Sequence, residues 1–264
     1  MMSTSLYNQY WKYADVVKRA IVLNVLVFLV LVLTNLLAFL FMHVKYIAND
    51  WVELPAHWPA LLTHPWTFIT YQFAHFGLFH LLFNLLVLHF AGAIFMDYFK
   101  SKQFWTLYLM GGLAGALSFL LLTHSIPMFN PHDATLVGAS ASIMAILFAA
   151  SVYAPNIQLK LFGFIDIKLK WIAVLYLVID LMGVLESNAG GHIAHIGGAI
   201  VGALFAYNQK HLWFRKPSKL KVVKPSTIQH NQAEIDAILD KISKYGYDRL
   251  SQAEKDKLFK ASQE

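Results

Sequence analysis

From Ala20 to Val44 the chain runs for about 25 residues with few polar interruptions, enough to cross a bilayer with some tilt. A cleaved signal peptide carries a shorter apolar region and a small-residue cleavage site, and neither is evident here. We read the run as a first transmembrane helix. It is not isolated. Apolar segments recur at about 78–99, 103–123, 138–153, 169–187 and 190–209. Charged residues make up 14% of the chain and hydrophobic residues 58%, whereas a soluble domain carries about 25% charge. The pattern predicts an all-α integral membrane protein with six spans.

The positive charges orient those spans. Lys12, Lys18 and Arg19 precede the first. Lys100 and Lys102 separate the second from the third, and Lys160, Lys168 and Lys170 separate the fourth from the fifth. The alternate loops hold only Lys45, so both termini are expected in the cytoplasm. Of the 21 Lys and Arg residues, 12 lie after Tyr207, so the net charge of +6 belongs to a tail beside a membrane. Anionic lipid is the partner this predicts, not nucleic acid. The absence of cysteine excludes disulfides, thiolate metal sites and a cysteine nucleophile.

Four regions follow. Residues 1–19 hold Tyr7, Tyr10, Trp11 and Tyr13 beside Lys18-Arg19, as in a cytoplasmic interfacial segment. Residues 20–210 form the membrane domain. Within it, 45–77 is rich in Trp and Pro, which predicts a loop partly sunk into the interface. Residues 211–231, with Pro217 and Pro225 among lysines and serines, read as a basic linker. Residues 232–264 form a small soluble appendage of two helices. Ile235, Ile238, Leu239 and Ile242 recur at helical spacing, and Ser251-x-x-Glu254 is a capping box opening the second helix.

With this topology the second, fourth and sixth spans all start at the outer surface, and each carries polar residues in its first two turns. The second has His80 and Asn84, four apart on one face; the fourth has Ser140; the sixth has His195. A rise of about 1.5 Å per residue sets all four at similar depth. Polar groups in apolar helices are costly unless they face a cavity or one another. Together these four fit hydrolysis. Histidine can accept the proton that makes a serine hydroxyl nucleophilic, and a tetrahedral intermediate needs donors for its oxyanion. The Asn84 amide, the His80 ring and the Ser140 backbone N–H supply such donors, and the helix start after Gly138 offers further unpaired N–H groups.

In order and spacing, His75-x-x-x-x-His80-x-x-x-Asn84, Gly138-Ala139-Ser140 and Ala194-His195-x-x-Gly198-x-x-x-Gly202 resemble the rhomboid intramembrane serine proteases. The resemblance covers roughly residues 20–210. It implies a six-helix rhomboid-like bundle and a Ser140–His195 dyad cleaving transmembrane protein substrates near the outer face, with His80 and Asn84 at the oxyanion. His75 would support the top of the second span, and no cofactor is required. Gly198 and Gly202, like Gly111 and Gly115, provide a small-residue packing face. The sequence departs from the family pattern at Ala141, where glycine is usual, at Met144 in place of an aromatic, and at Thr67 in place of a loop arginine. The compact size suggests a bacterial plasma membrane.

Other readings stand beside this one. Ser140 alone would be read as a helix cap or small packing residue, and Ser142, on another side of the helix, as scaffold. His192 shares a face with His195 one turn nearer the outer end, where a hydrogen-bonded or solvated neighbour is expected. Asp180, in the fifth span, is expected to pack inside the bundle, although it could orient a histidine. A catalytically inactive, protein-binding relative of the same fold is one alternative function. A histidine-ligated metal or haem protein is another, but it lacks a carboxylate at matched depth on the second, fourth or sixth span.

Overall fold

The structure, a computed structural model, describes residues 4–126, 129, 131–132, 134–161, 164–185, 188–215 and 228–261. These divide into two compact units, one ending at Arg215 and one following it. The linker predicted over 211–231 lies largely outside the described residues, as do the side chains of Tyr7, Tyr10, Trp11 and Tyr13.

The first unit opens with α1 (Thr4–Met42), one continuous helix that joins the described part of the predicted interfacial segment to the first span, which ends two residues short of the predicted Val44. A short strand β1 (Leu54–Pro55) follows, then two short helices, α2 (Trp58–Thr63) and α3 (Thr67–Thr70), and a 3-10 turn at Tyr71–Phe73. The predicted loop is therefore a string of short helical pieces, with Pro59 in the first turn of α2. The remaining elements are α4 (Leu78–Tyr98), α5 (Ser101–Ser125), β2 (Thr135–Leu136), α6 (Ser140–Tyr153), the hairpin β3 (Gln158–Leu161) and β4 (Ile165–Lys168), α7 (Leu169–Gly183) and α8 (Ala189–Arg215).

By length and composition, Val16–Met42 of α1, α4, α5 and Ala189–Lys210 of α8 are able to cross a membrane. The two other apolar helices, α6 with 14 residues and α7 with 15, are shorter. Val22, Leu26, Leu29, Val30 and Leu33 of α1 are exposed, as are Leu175, Val178, Ile179 and Met182 of α7. Apolar bands of this extent match a lipid environment and would be an aggregation hazard in water. The shorter α6 is different: Ala141 to Leu147 are all buried.

Helix α6 is buried because its neighbours lack side chains where it passes. A Cβ on Gly111 of α5 would strike the Ala145 Cβ, and one on Gly115 would strike the Ala141 Cβ. On the other side, a Cβ on Gly198 of α8 would strike the Ala141 carbonyl oxygen, and one on Gly202 the Ala145 carbonyl oxygen. One ridge of α6, Ala141 and Ala145, thus sits between two small-residue stripes. Without a hydrophobic driving force between helices in lipid, such close backbone approach is what binds them.

Polar side chains lock the same region. Asn24 of α1, fully buried, donates to the Tyr108 hydroxyl of α5 at 3.1 Å, which donates to the Gln72 carbonyl at 3.2 Å. The Ser142 hydroxyl of α6 donates to Gln72 Oε1 at 3.2 Å, and the Tyr71 hydroxyl donates to the Gly112 carbonyl. Buried polar groups are costly unless partnered, so this chain of bonds holds the 3-10 turn against α5 and α6. Ser142 is therefore an internal tie, in line with its reading as scaffold.

The second unit holds α9 (Ile228–Tyr245), a 3-10 turn at Tyr247–Arg249 and α10 (Gln252–Ala261). Gly246 turns the chain with φ 82°, a backbone conformation that favours glycine. The capping box forms: the Ser251 N–H donates to Glu254 Oε2 at 2.7 Å, and the Glu254 N–H donates to the Ser251 hydroxyl at 3.4 Å. Lys241 of α9 donates to the same carboxylate at 2.8 Å. That ammonium, followed by the Ser251 contacts, lowers the Glu254 pKa to about 2.

Candidate active site

The site is built on the turn that enters α6. β1 and β2 pair antiparallel, Leu54 with Leu136 and Pro55 with Thr135, and the Gly138 N–H donates to the Tyr71 carbonyl at 2.9 Å. The docked loop thereby fixes where α6 begins. Gly138 has φ 120°, and a Cβ there would lie 2.8 Å from His80 Cε1. The backbone conformation calls for glycine, and a side chain there would also displace the His80 ring.

Ala139 occupies the N-cap position with a helical backbone and makes no side-chain cap bond; Ser140 is the first helical residue. Ser140 is thus not the cap that a serine at a helix start suggests. It is half-buried and lines a cavity of about 440 Å3 together with His80, Asn84, Met144, Tyr176 and His195. The four residues expected to meet from the sequence do meet on this one cavity.

His80 and Asn84 enter from the first two turns of α4. The Asn84 amide donates to the His80 carbonyl at 2.9 Å with one of its two hydrogens, leaving the other for a partner in the cavity. His75 stands behind them, in the segment before α4, 1% exposed, with its ring centroid 5.0 Å from that of His80. Burial, with the neighbouring His80 adding to it, pushes the His75 pKa down to about 4. Its Nε2 is buried without a hydrogen-bond partner among the described residues. Gly198 and Gly202 lie against α6 and do not line the cavity.

Asp180 of α7 was expected to pack within the bundle, and it does more. It is 4% exposed, and its Oδ1 lies 2.7 Å from His195 Nδ1 and 2.8 Å from His192 Nδ1. An ionised carboxylate only accepts hydrogen bonds, so with Asp180 ionised both imidazoles present Nδ1–H to it and leave Nε2 unprotonated in the neutral ring. His192 is therefore the hydrogen-bonded neighbour anticipated for it, and its partner is the same oxygen that serves His195. Gly183, three residues after Asp180, makes room: a Cβ there would strike the His192 ring. The carboxylate missing from the second, fourth and sixth spans is delivered by α7. The visible signal was an acid inside an apolar helix. Tyr176, one turn before Asp180, was not singled out from the sequence and lines the cavity as well.

A family model, the Rhomboid domain, matches residues 62–210. The chain belongs to the rhomboid family. The rhomboid match takes in every residue that lines the cavity, from His80 to His195. Rhomboid-related protein 1 of Caenorhabditis elegans is 31% identical over 160 residues, 56% of this chain and 41% of the relative. Presenilin-associated rhomboid-like protein A, mitochondrial, of Danio rerio is 26% identical over 167 residues, 62% of this chain and 43% of the relative. RHOMBOID-like protein 12, mitochondrial, of Arabidopsis thaliana is 27% identical over 149 residues, 52% of this chain and 44% of the relative. The matched stretch thus spans about two fifths of the length of these relatives. Residues 228–264 match a family of unknown function (DUF6576).

Proposed function

We propose that this chain is an intramembrane serine endopeptidase that cuts transmembrane protein segments close to the outer membrane face. One observation carries the reading: Ser140, His195, His80 and Asn84, from three helices, line a single cavity. Family membership supports the same chemistry. Ser140 Oγ attacks the peptide carbonyl while His195 Nε2 takes its proton and later passes it to the leaving amine. The free amide hydrogen of Asn84, the His80 ring and the Ser140 backbone N–H hold the oxyanion. Water entering from the cavity mouth then releases the acyl enzyme. Asp180, bonded to His195 Nδ1, keeps the imidazole in the tautomer whose Nε2 accepts a proton, so the dyad acts with a third, positioning residue.

Counting α6 and α7 as spans gives six, with both termini on the cytoplasmic side as the lysine distribution indicates. The basic stretch after Tyr207 then meets anionic lipid, and residues 232–264 form a separate soluble appendage. Two of the relatives carry mitochondrial names, and the bacterial plasma membrane expected from size finds no support in those two.

A fluorophosphonate probe tests the assignment on the detergent-solubilised full chain. Wild type should label, Ser140→Ala should not, and His195→Ala should label far more slowly. Label that persists in Ser140→Ala would remove Ser140 as the nucleophile. A wild type that neither labels nor cuts any model transmembrane substrate would instead point to an inactive, protein-binding rhomboid.

A further inference from the structure

The hydrolysis above needs one imidazole on Asp180, and the structure supplies two. His192 does not line the cavity, yet its ring is held on Asp180 Oδ1 beside that of His195, with Gly183 cleared to admit it. The ligand-capable atoms of Asp180, His192 and His195 all lie within 4.8 Å of one another. Asp180 is the one acid in helices α5 to α8, and both imidazoles share its Oδ1.

We propose that Asp180, His192 and His195 form a binding site for a divalent transition-metal ion, zinc above all, and that metal bound there switches the enzyme off. Two imidazoles and a carboxylate, with water as fourth ligand, are a donor set suited to zinc; calcium and magnesium prefer oxygen ligands alone. A tetrahedral zinc ion spaces its ligand atoms about 3.3 Å apart, so the hydrogen-bonded edges must open by about 0.5 Å. The histidine side chains, 21% and 20% exposed, have the freedom and the solvent access to do so.

Inhibition follows from the tautomer and rests on the hydrolase reading. Metal on His195 Nδ1 displaces the proton from that nitrogen to Nε2. The ring then presents N–H to the cavity and no longer has a lone pair to accept the Ser140 proton. The same carboxylate that prepares His195 for catalysis would, with metal present, hold it in the wrong tautomer.

The test separates binding from activity. Zinc chloride is titrated into the detergent-solubilised full chain against a chromophoric chelator, in the Ser140→Ala background where no turnover interferes. Ser140→Ala should take one tight equivalent. Adding His192→Gln should weaken it by at least about 100-fold, since loss of a mere outer-shell partner already costs 10–100-fold. Adding His192→Cys instead should retain binding through the thiolate, which guards against a loss caused by misfolding. In wild type, zinc should abolish fluorophosphonate labelling and a chelator should restore it. Equal affinity with and without His192→Gln, or wild-type labelling indifferent to saturating zinc, would overturn the proposal. A wild type that never labels, but binds zinc through His192, would remove the hydrolase reading and leave the metal site standing.

Discussion

Asp180 Oδ1 and His195 Nδ1 lie 2.7 Å apart, a bond between the fifth and sixth apolar segments of the chain. Its consequence for the proposed chemistry is twofold. It selects the tautomer with Nε2 free, and it places a negative charge beside the imidazolium that forms when Ser140 gives up its proton.

Asp180→Asn removes that charge and lets the side-chain amide donate to the ring, favouring the wrong tautomer. Labelling and cleavage should slow by about 10^2- to 10^4-fold, with the loss in kcat and little change in KM. Asp180→Glu should recover part of the rate. A role confined to packing would instead lower thermal stability and leave the rate of the folded fraction within a few-fold of wild type. Steady-state cleavage of a model transmembrane substrate, alongside thermal unfolding, distinguishes the two.

Ala141→Gly tests the residue by which the sequence departs most from the family pattern at the nucleophile. The position does not need glycine's backbone: it is the second residue of α6, and its side chain is 2% exposed against Gly115. The positive φ that the turn requires falls at Gly138. Ala141→Gly should therefore leave the labelling rate close to wild type. It should cost stability by about 1 kcal/mol, the loss of one buried methyl group packed against Gly115, read as a lower unfolding temperature. A rate rising tenfold or more would show that the alanine restrains the turn.

How far the sequence was readable follows from where each signal resides. Apolar length marked the helices because lipid demands it of every spanning segment, and Gly198-x-x-x-Gly202 marked close packing because no side chain fits there. Ser140, His80, Asn84 and His195 could be set at one depth by counting along helices of assumed direction. Asp180 could not be placed in this way. Its distance from His195 depends on how α7 rotates and leans against α8, and one acid in an apolar run carries no information about azimuth. The continuity of α1 through Tyr7 to Lys18 was hidden too, because interfacial aromatics and a polar helical turn have the same composition. The docking of Gln72 against Gly112 and Ser142 is a contact between distant segments that no local period encodes.

His75 offers a test on stability. Its folded-state pKa, about 4, lies below the ordinary value of 6.5 because burial disfavours the charged ring and His80 adds to the effect. The unfolded chain therefore binds a proton at higher pH than the folded one. The stabilisation associated with neutral His75 is fully present above pH 6.5 and is progressively lost as the pH falls from 6.5 towards about 4. His75→Gln keeps a polar side chain that does not titrate. The unfolding temperature of wild type should fall more steeply than that of His75→Gln across this window, and the two should run parallel above it. Comparing the pair isolates the contribution of His75 together with its coupling to His80. Thermal unfolding in detergent at a series of pH values makes the measurement. Curves that stay parallel throughout would mean that His75 gains no proton on unfolding, and that its buried ring is not held neutral by its surroundings.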